Sequence, residues 1–298
     1  MSGGGKPETV GVVGLGAMGG ALAERLIAAG EPVAVHDVDA DAVARLRARG
    51  ARATGIDAVA DCGTVLTCLP TAADLDSVLV GEGLLERLGG ALLAETSTVL
   101  PATVRELAAR AAEHRVEVVD CPVSGGPEEA RAGTLTVLAG ADGGALERAR
   151  PVLERLGRVE HVGRVGDGKA IKLVNNAMSM GNVVVAMEAF MIGVAHGLDR
   201  ERMVEVLGRS GGRSHHFAKR MPRVLADDFE SGFAIRLGEK DLRLVLEAAH
   251  AVDCPVPVAA CVHQLLEIAR ATGLADLDVA AVVKLYEGWA AGDSAQEG

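Results

Sequence analysis

Lys172 and Asn176 stand one helical turn apart on a segment, Lys169 to Ala195, that is otherwise mostly apolar and free of proline. Residues at that spacing share a helix face. A lysine drawn into an apolar setting shifts toward its neutral form, which can exchange a proton with a bound hydroxyl or carbonyl. Lys169 lies one turn before Lys172, close to the same face. A second group is Asp120-Cys121-Pro122-Val123-Ser124-Gly125-Gly126, which follows a predicted strand. There the Ser124 hydroxyl and the successive amides of Gly125 and Gly126 make a nest suited to a carboxylate. A third is Glu239-Lys240-Asp241-Leu242, which opens a predicted helix after a break at Gly238 and would bring Lys240 toward the same cleft. Each has a plainer alternative: a solvent-facing lysine, a bare Pro/Gly loop, an exposed Lys/Asp pair.

The start of the chain supplies a partner for such chemistry. Gly14, Gly16 and Gly19 follow a short apolar strand and run into a helix. In that order the first glycine permits a tight turn, the second leaves room for a pyrophosphate, and the third lets helix and strand approach closely. A bare GxGxxG is weak, but here strand 9–13, helix 17–29 and strand 32–36 surround it as one β-α-β unit. Asp37 closes the second strand, where a carboxylate accepts hydrogen bonds from both ribose hydroxyls of NAD and repels a 2′-phosphate. Val38 and Asp39 follow, and the next basic residue is Arg45. The expected cofactor is therefore NAD rather than NADP. The plainer reading of Asp37 is a strand-end or capping residue.

These groups need strands to carry them. Strands are predicted over 65–70, 90–95, 116–120, 134–140 and 158–162, alternating with helices over 40–50, 101–113 and 143–156; residues 58–59 read as a short helix or turn. That alternation specifies a mostly parallel, doubly wound α/β sheet of Rossmann type, with ligands beyond the carboxyl ends of its strands. The long helix 169–195 would bridge to a second domain, all helical, with helices over 200–208, 213–226, 239–251, 256–271 and 278–289. The division expected is 1–165 for NAD binding and 166–298 for the linking helix and an all-α substrate and oligomerisation domain. Residues 292–298 read as a frayed polar tail.

Bulk properties narrow the classes. The chain has 298 residues, 49% hydrophobic, enough for a substantial core. A net charge of -11 and an aromatic content of 2% argue against a nucleic-acid partner. No run reaches the ~18 uninterrupted apolar residues of a membrane span, and the N-terminus lacks the pattern of a secretory signal. Cys62, Cys68, Cys121, Cys254 and Cys261 show neither a metal-ligand spacing nor a disulfide framework, so a reducing cytoplasm is expected.

Together these stretches resemble the β-hydroxyacid dehydrogenase family, of which the 3-hydroxyisobutyrate dehydrogenases are the best known. The resemblance covers nearly the whole length. It is carried by Gly14-Leu15-Gly16-Ala17-Met18-Gly19, by Asp120 to Gly126 continuing through Ala130, Gly133, Thr134 and Leu135, by Gly166 through Asn176, and by Lys240-Asp241-Leu242, in that order. Glu95 departs from the aspartate usual before the family's Ser-Thr pair, and Cys121 replaces a common alanine. The resemblance implies that Lys172 is catalytic with Asn176 beside it, and that Ser124, Gly125 and Gly126 grip a substrate carboxylate. It implies that Lys240 lines the cleft near nicotinamide and substrate, and that Gly14, Leu15, Gly16, Met18, Gly19, Asp37, Leu69, Pro70 and Thr98 meet the cofactor. The implied reaction is reversible NAD-dependent oxidation of a short 3-hydroxy acid. The alternatives are reduction of tartronate semialdehyde, a sugar acid or an imine, and a catalytically silent nucleotide-binding module. A homodimer or homotetramer is implied as well. Residues 208–217, with Arg213, His215 and His216, would read a distal substrate group or face solvent.

Overall fold

The computed structural model describes residues 8–230 and 232–294, and the chain divides into two compact units, Met1–Lys172 and Leu173–Gly298. Among the described residues of the first, nine strands form one sheet: β1 (Val10–Val13), β2 (Val33–His36), β3 (Arg52–Thr54), β4 (Thr64–Thr67), β5 (Leu92–Glu95), β6 (Glu117–Asp120), β7 (Val123–Ser124), β8 (Leu135–Gly140) and β9 (Gly157–Gly163). The order is β3-β2-β1-β4-β5-β6-β8-β7, with β9 paired to β8. Pairing from β3 to β6 is parallel, while β8 runs antiparallel to β6 and β7. Strand order thus reverses at β1 and β4, the point where a doubly wound sheet opens a crevice for ligands.

Successive strand side chains point to opposite faces, so each strand feeds two cores. Val10, Val12, Val33, Val35, Leu66, Leu92 and Val119 pack on one face with Leu22, Leu26, Leu46, Leu146 and Leu153 from helices. Val13, Ala34, Val65, Leu93 and Val118 pack on the other with Leu75, Leu79, Leu84, Leu88, Val104 and Leu107. Aliphatic side chains carry both layers, as the scarcity of aromatics requires.

The long helix spans Asp167–Ala195, beginning in the first unit and running on through the second. Its length and composition would suffice to cross a bilayer, although Lys169, Lys172, Asn175, Asn176 and Glu188 interrupt it. The second unit is helical: Arg200–Leu207, His215–Leu225, Ile235–His250, Pro257–Ala269 and Val283–Ser294 follow, with single turns at Arg270–Leu274 and Val279–Val282. Asp278 organises one end of it from a buried position. Its Oδ1 accepts Ala280 N at 3.0 Å, its Oδ2 accepts Phe233 N at 3.0 Å, and Arg220 Nε lies 3.3 Å from Oδ1.

Three features differ from the sequence reading. Gly238 does not break a helix. It lies inside Ile235–His250, where an added Cβ would stand 3.1 Å from Met180 Sδ and 3.3 Å from Leu266 Cδ1, so its small size serves close packing. Residues 292–294 belong to the last helix, and 295–298 lie outside the described residues. Short elements at Arg52–Thr54, Ala72–Asp76 and Leu84–Arg87 carry too few residues to show a period.

Candidate active site

Each glycine of the first turn has its own physical reason. Gly14 adopts φ +85°, and a Cβ there would stand 2.3 Å from Cys68 O. A Cβ at Gly19 would collide with Gly14 O at 1.9 Å. Around Gly16 an added Cβ meets nothing within 4 Å, and the residue is exposed. The turn is thus closed on its protein side and open at the one position where a diphosphate has to approach. Gly16 also starts the helix Ala17–Ala28 without a side-chain cap, so its first amides suit an anion. Met18 is half-buried on that helix and packs against the first core.

Asp37 ties this turn to the end of β2. Its Oδ2 accepts the Leu15 amide, and its Oδ1 accepts Asp39 N at 2.8 Å. Asp39 in turn caps the helix Ala40–Ala48 by accepting Asp41 N at 2.9 Å and Ala42 N at 3.2 Å. The carboxylate therefore has a structural task, joining the glycine turn to the loop after β2. Leu69 and Pro70 follow β4 at the same sheet edge, half-buried and exposed, and Leu69 N donates to Ser97 Oγ at 2.9 Å. Thr98 is half-buried in the loop after β5. The structure thus brings Gly14, Leu15, Gly16, Met18, Gly19, Asp37, Leu69, Pro70 and Thr98 to the loops and helix start beyond the carboxyl ends of β1, β2, β4 and β5.

The two lysines at the start of the long helix have different fates. Lys169 is fully buried; its Nζ donates to Glu95 O at 2.8 Å and lies 2.6 Å from Glu95 Oε2 and 3.0 Å from Asp120 Oδ1. Burial would depress its pKa, but the two carboxylates outweigh burial and hold it above the ordinary lysine value. Burial pushes the neighbouring Cys121 thiol up, so it stays protonated. All five cysteines are free thiols. Lys172 is only half-buried, and its Nζ donates to Val123 O at 2.8 Å. Val123 directly precedes Ser124 on β7, so the ammonium stands beside the loop read as a carboxylate nest. Gly125 is exposed with φ +127°, and the Gly126 amide already donates to Glu129 Oε2 at 2.9 Å. A substrate carboxylate at Gly126 would compete with Glu129.

In the second unit, Asn176 is buried, and its Nδ2 donates to Asp241 Oδ2 at 2.7 Å. Its Oδ1 accepts Asn175 Nδ2 at 3.2 Å. Lys240 Nζ lies 3.2 Å from Asp241 Oδ1. Asp241 thereby holds Asn176 and Lys240 together, a part that sequence reasoning gave to neither alternative for the Lys/Asp pair. The signal available was its place beside Lys240 on an amphipathic helix. In the stretch 208–217, Arg213 and His215 are exposed and His216 is half-buried. His215 starts a helix capped by Ser214, whose Oγ accepts Phe217 N at 3.0 Å.

Two family models together match residues 9–286 of the 298-residue chain. Residues 9–166 match the model of the NAD binding domain of 6-phosphogluconate dehydrogenase. Residues 166–286 match that described as NAD-binding of NADP-dependent 3-hydroxyisobutyrate dehydrogenase. The chain belongs to the β-hydroxyacid dehydrogenase family. It is accordingly an NAD-using dehydrogenase. Among its relatives in this family, the 2-(hydroxymethyl)glutarate dehydrogenase of Eubacterium barkeri is 38% identical, covering 95% of this chain and 96% of its own. The 3-hydroxyisobutyrate dehydrogenase of Pseudomonas aeruginosa is 37% identical, covering 93% and 97%. Of solved structures, the Mycobacterium tuberculosis 3-hydroxyisobutyrate dehydrogenase with L-serine superposes with a TM-score of 0.86 at 30% identity, covering 94% of this chain and 99% of that one. Family members act on various short hydroxy acids, and the general reaction is theirs in common.

Proposed function

We propose that this dehydrogenase reversibly oxidises a short 3-hydroxy acid, of the 3-hydroxyisobutyrate type, to its semialdehyde or keto acid, with NAD preferred over NADP. The observation that carries the reading is the 2.8 Å bond from Lys172 Nζ to Val123 O, which stands an amine next to Ser124. A positioned amine of this kind is able to exchange a proton with a bound hydroxyl. The cofactor preference is supported by Asp37, whose carboxylate would repel a 2′-phosphate. The open space at Gly16 suits the diphosphate. When bound, the nicotinamide supplies the hydride acceptor in the oxidative direction.

The chain's own residues do the rest. Ser124 and Gly125, with Gly126 if Glu129 yields, hold the substrate carboxylate. Neutral Lys172 takes the hydroxyl proton at Nζ, directly or through a water; in the reverse direction its ammonium returns that proton and stabilises charge growing on the carbonyl oxygen. Asn176, one turn further along the helix, orients the reacting oxygen or the lysine, and Asp241 fixes which way its amide faces. Lys240 adds positive charge beside it. We assign cofactor binding to 1–165 and substrate binding and self-association, as dimer or tetramer, to 166–298. Five free thiols suit a reducing cytoplasm.

Which acid is used depends on the distal group. A relative named for 2-(hydroxymethyl)glutarate, which carries a second carboxylate, makes the cations of 208–217 the residues to examine. A spectrophotometric screen at ~340 nm, with NAD and NADP against short 3-hydroxy acids, hydroxy diacids, serine and sugar acids, tests the reading. Turnover with at least one 3-hydroxy acid and faster use of NAD are expected. NADH binding without turnover on any 3-hydroxy acid would overturn this choice of substrate.

A further inference from the structure

We propose that Lys169 is a positioning residue for the reaction: its buried ammonium sets where Lys172 stands against the Ser124 loop. The inference rests on reading Lys172 as the proton-transfer group.

Lysine is almost never fully buried unless paired, and Lys169 has no exposed surface. A buried ion cluster is weak evidence of stabilisation, since apolar residues of similar volume often serve as well or better. Stability alone therefore does not explain two carboxylates and an ammonium in this place. Their geometry does. Asp120 Oδ2 accepts the amides of Gly166 at 2.9 Å and Lys169 at 3.0 Å, so the end of β6 grips the first turn of the helix through its backbone. Asp120 Oδ1 and both the carboxylate and carbonyl of Glu95 grip the same turn through the Lys169 side chain. Glu95 Oε1 accepts Ser97 N at 2.8 Å, and Ser97 Oγ accepts Leu69 N. One ammonium thus joins the helix start to β5, β6 and the loops after β4 and β5.

The helix has no slack in this seat. A Cβ at Gly168 would stand 2.5 Å from Leu138 O and 2.8 Å from Asp120 O, and one at Gly140 would stand 2.8 Å from Gly168 N. Backbone contact fixes how close the helix comes, while the Asp120 bonds to the Gly166 and Lys169 amides and the Lys169 side-chain cluster together hold its rotation about its own axis. Rotation is what moves Lys172, one turn on, toward or away from Val123 O. A reacting group misplaced by ~1 Å loses about 100-fold in rate. Lys169 touches neither substrate nor cofactor in this account; it acts through Lys172 and through the Ser97–Leu69 loops.

The test compares Lys169→Gln, Lys169→Met and the double variant Glu95→Gln/Lys169→Met with the full-length enzyme, reading kcat, KM, the pH profile of kcat and the thermal midpoint. Lys172→Ala is run alongside on the same substrate. Expected is a fall in kcat of about 10- to 100-fold for Lys169→Gln, with an altered pH profile. The double variant, relieved of one unpaired carboxylate, should recover its thermal midpoint without recovering kcat. A recovery of kcat in step with the midpoint would make Lys169 a structural staple and overturn the inference. So would a folded Lys169→Gln with native kcat and pH profile. Where Lys169→Met does not fold, the Gln and double variants still decide. An active Lys172→Ala would bring down the reading of Lys172 itself, whereas an inactive one beside an unaltered Lys169→Gln would bring down only the present inference.

Discussion

Asn176 donates its side-chain amide to Asp241 across 2.7 Å, and both residues are buried. An amide can face either way in a symmetric site, but here a carboxylate accepts from Nδ2 and so leaves Oδ1 on the other side. Asp241→Ala would strand the buried Nδ2 without its acceptor, at a cost of about 1–3 kcal/mol. We expect a lower thermal midpoint and a kcat reduced about tenfold or more, with Asp241→Asn milder in both. Steady-state kinetics and thermal melts check this; a native kcat in Asp241→Ala would remove Asp241 from the site.

Two glycines of the turn, Gly19 and Gly16, should respond differently to the same change. Gly19→Ala forces a Cβ to within 1.9 Å of Gly14 O and should disrupt the turn. Gly16→Ala meets no protein atom within 4 Å, so its stability should stay native while NAD affinity falls by about tenfold, ~1.4 kcal/mol. Calorimetric titration with NAD and a thermal melt on each variant distinguish them. Equal NAD affinity in Gly16→Ala would mean that the open space at Gly16 is not where the diphosphate lies.

Asp37 holds the Leu15 and Asp39 amides in the structure. Replacing it by serine should lower kcat/KM with NAD by about 10- to 100-fold, because charge-assisted bonds of ~1.5–3 kcal/mol are lost. Use of NADP should fall less or improve. The ratio of the two specificity constants is the measurement, and a ratio unchanged by the substitution would show that Asp37 only shapes the loop.

How much of this was visible in the residues differs from one part to another. The β-α-β start was legible because Gly14, Gly16 and Gly19 are punctuation with a fixed physical meaning, and the strands because their apolar runs end in Gly, Pro or polar residues. The helix Pro101–Glu113 begins where its proline says it must. Gly238 misled, because a glycine chosen for contact with Met180 and Leu266 looks in sequence like one chosen for a turn. The separate fates of Lys169 and Lys172 were not legible. They depend on Glu95 and Asp120, which stand distant in the chain and meet only when the sheet forms. Asp241 was hidden for the same reason, its partner Asn176 lying far earlier in sequence.

Stability should fall on acidification through His216. Burial, then Arg220, lowers its pKa from 6.5 to about 4. The unfolded chain therefore binds a proton that the folded one refuses between those values, so stability present above about pH 6.5 is lost progressively as pH falls toward 4. His216→Gln should flatten that part of the thermal midpoint's pH dependence. An unchanged slope would place the acid sensitivity elsewhere.

The most direct test of the account is the turnover of Lys172→Ala with NAD and an accepted 3-hydroxy acid, measured beside its NAD affinity. Proton transfer by Lys172 predicts a loss in kcat of about 10²- to 10⁴-fold with cofactor binding intact. Near-native turnover in that variant would contradict the account.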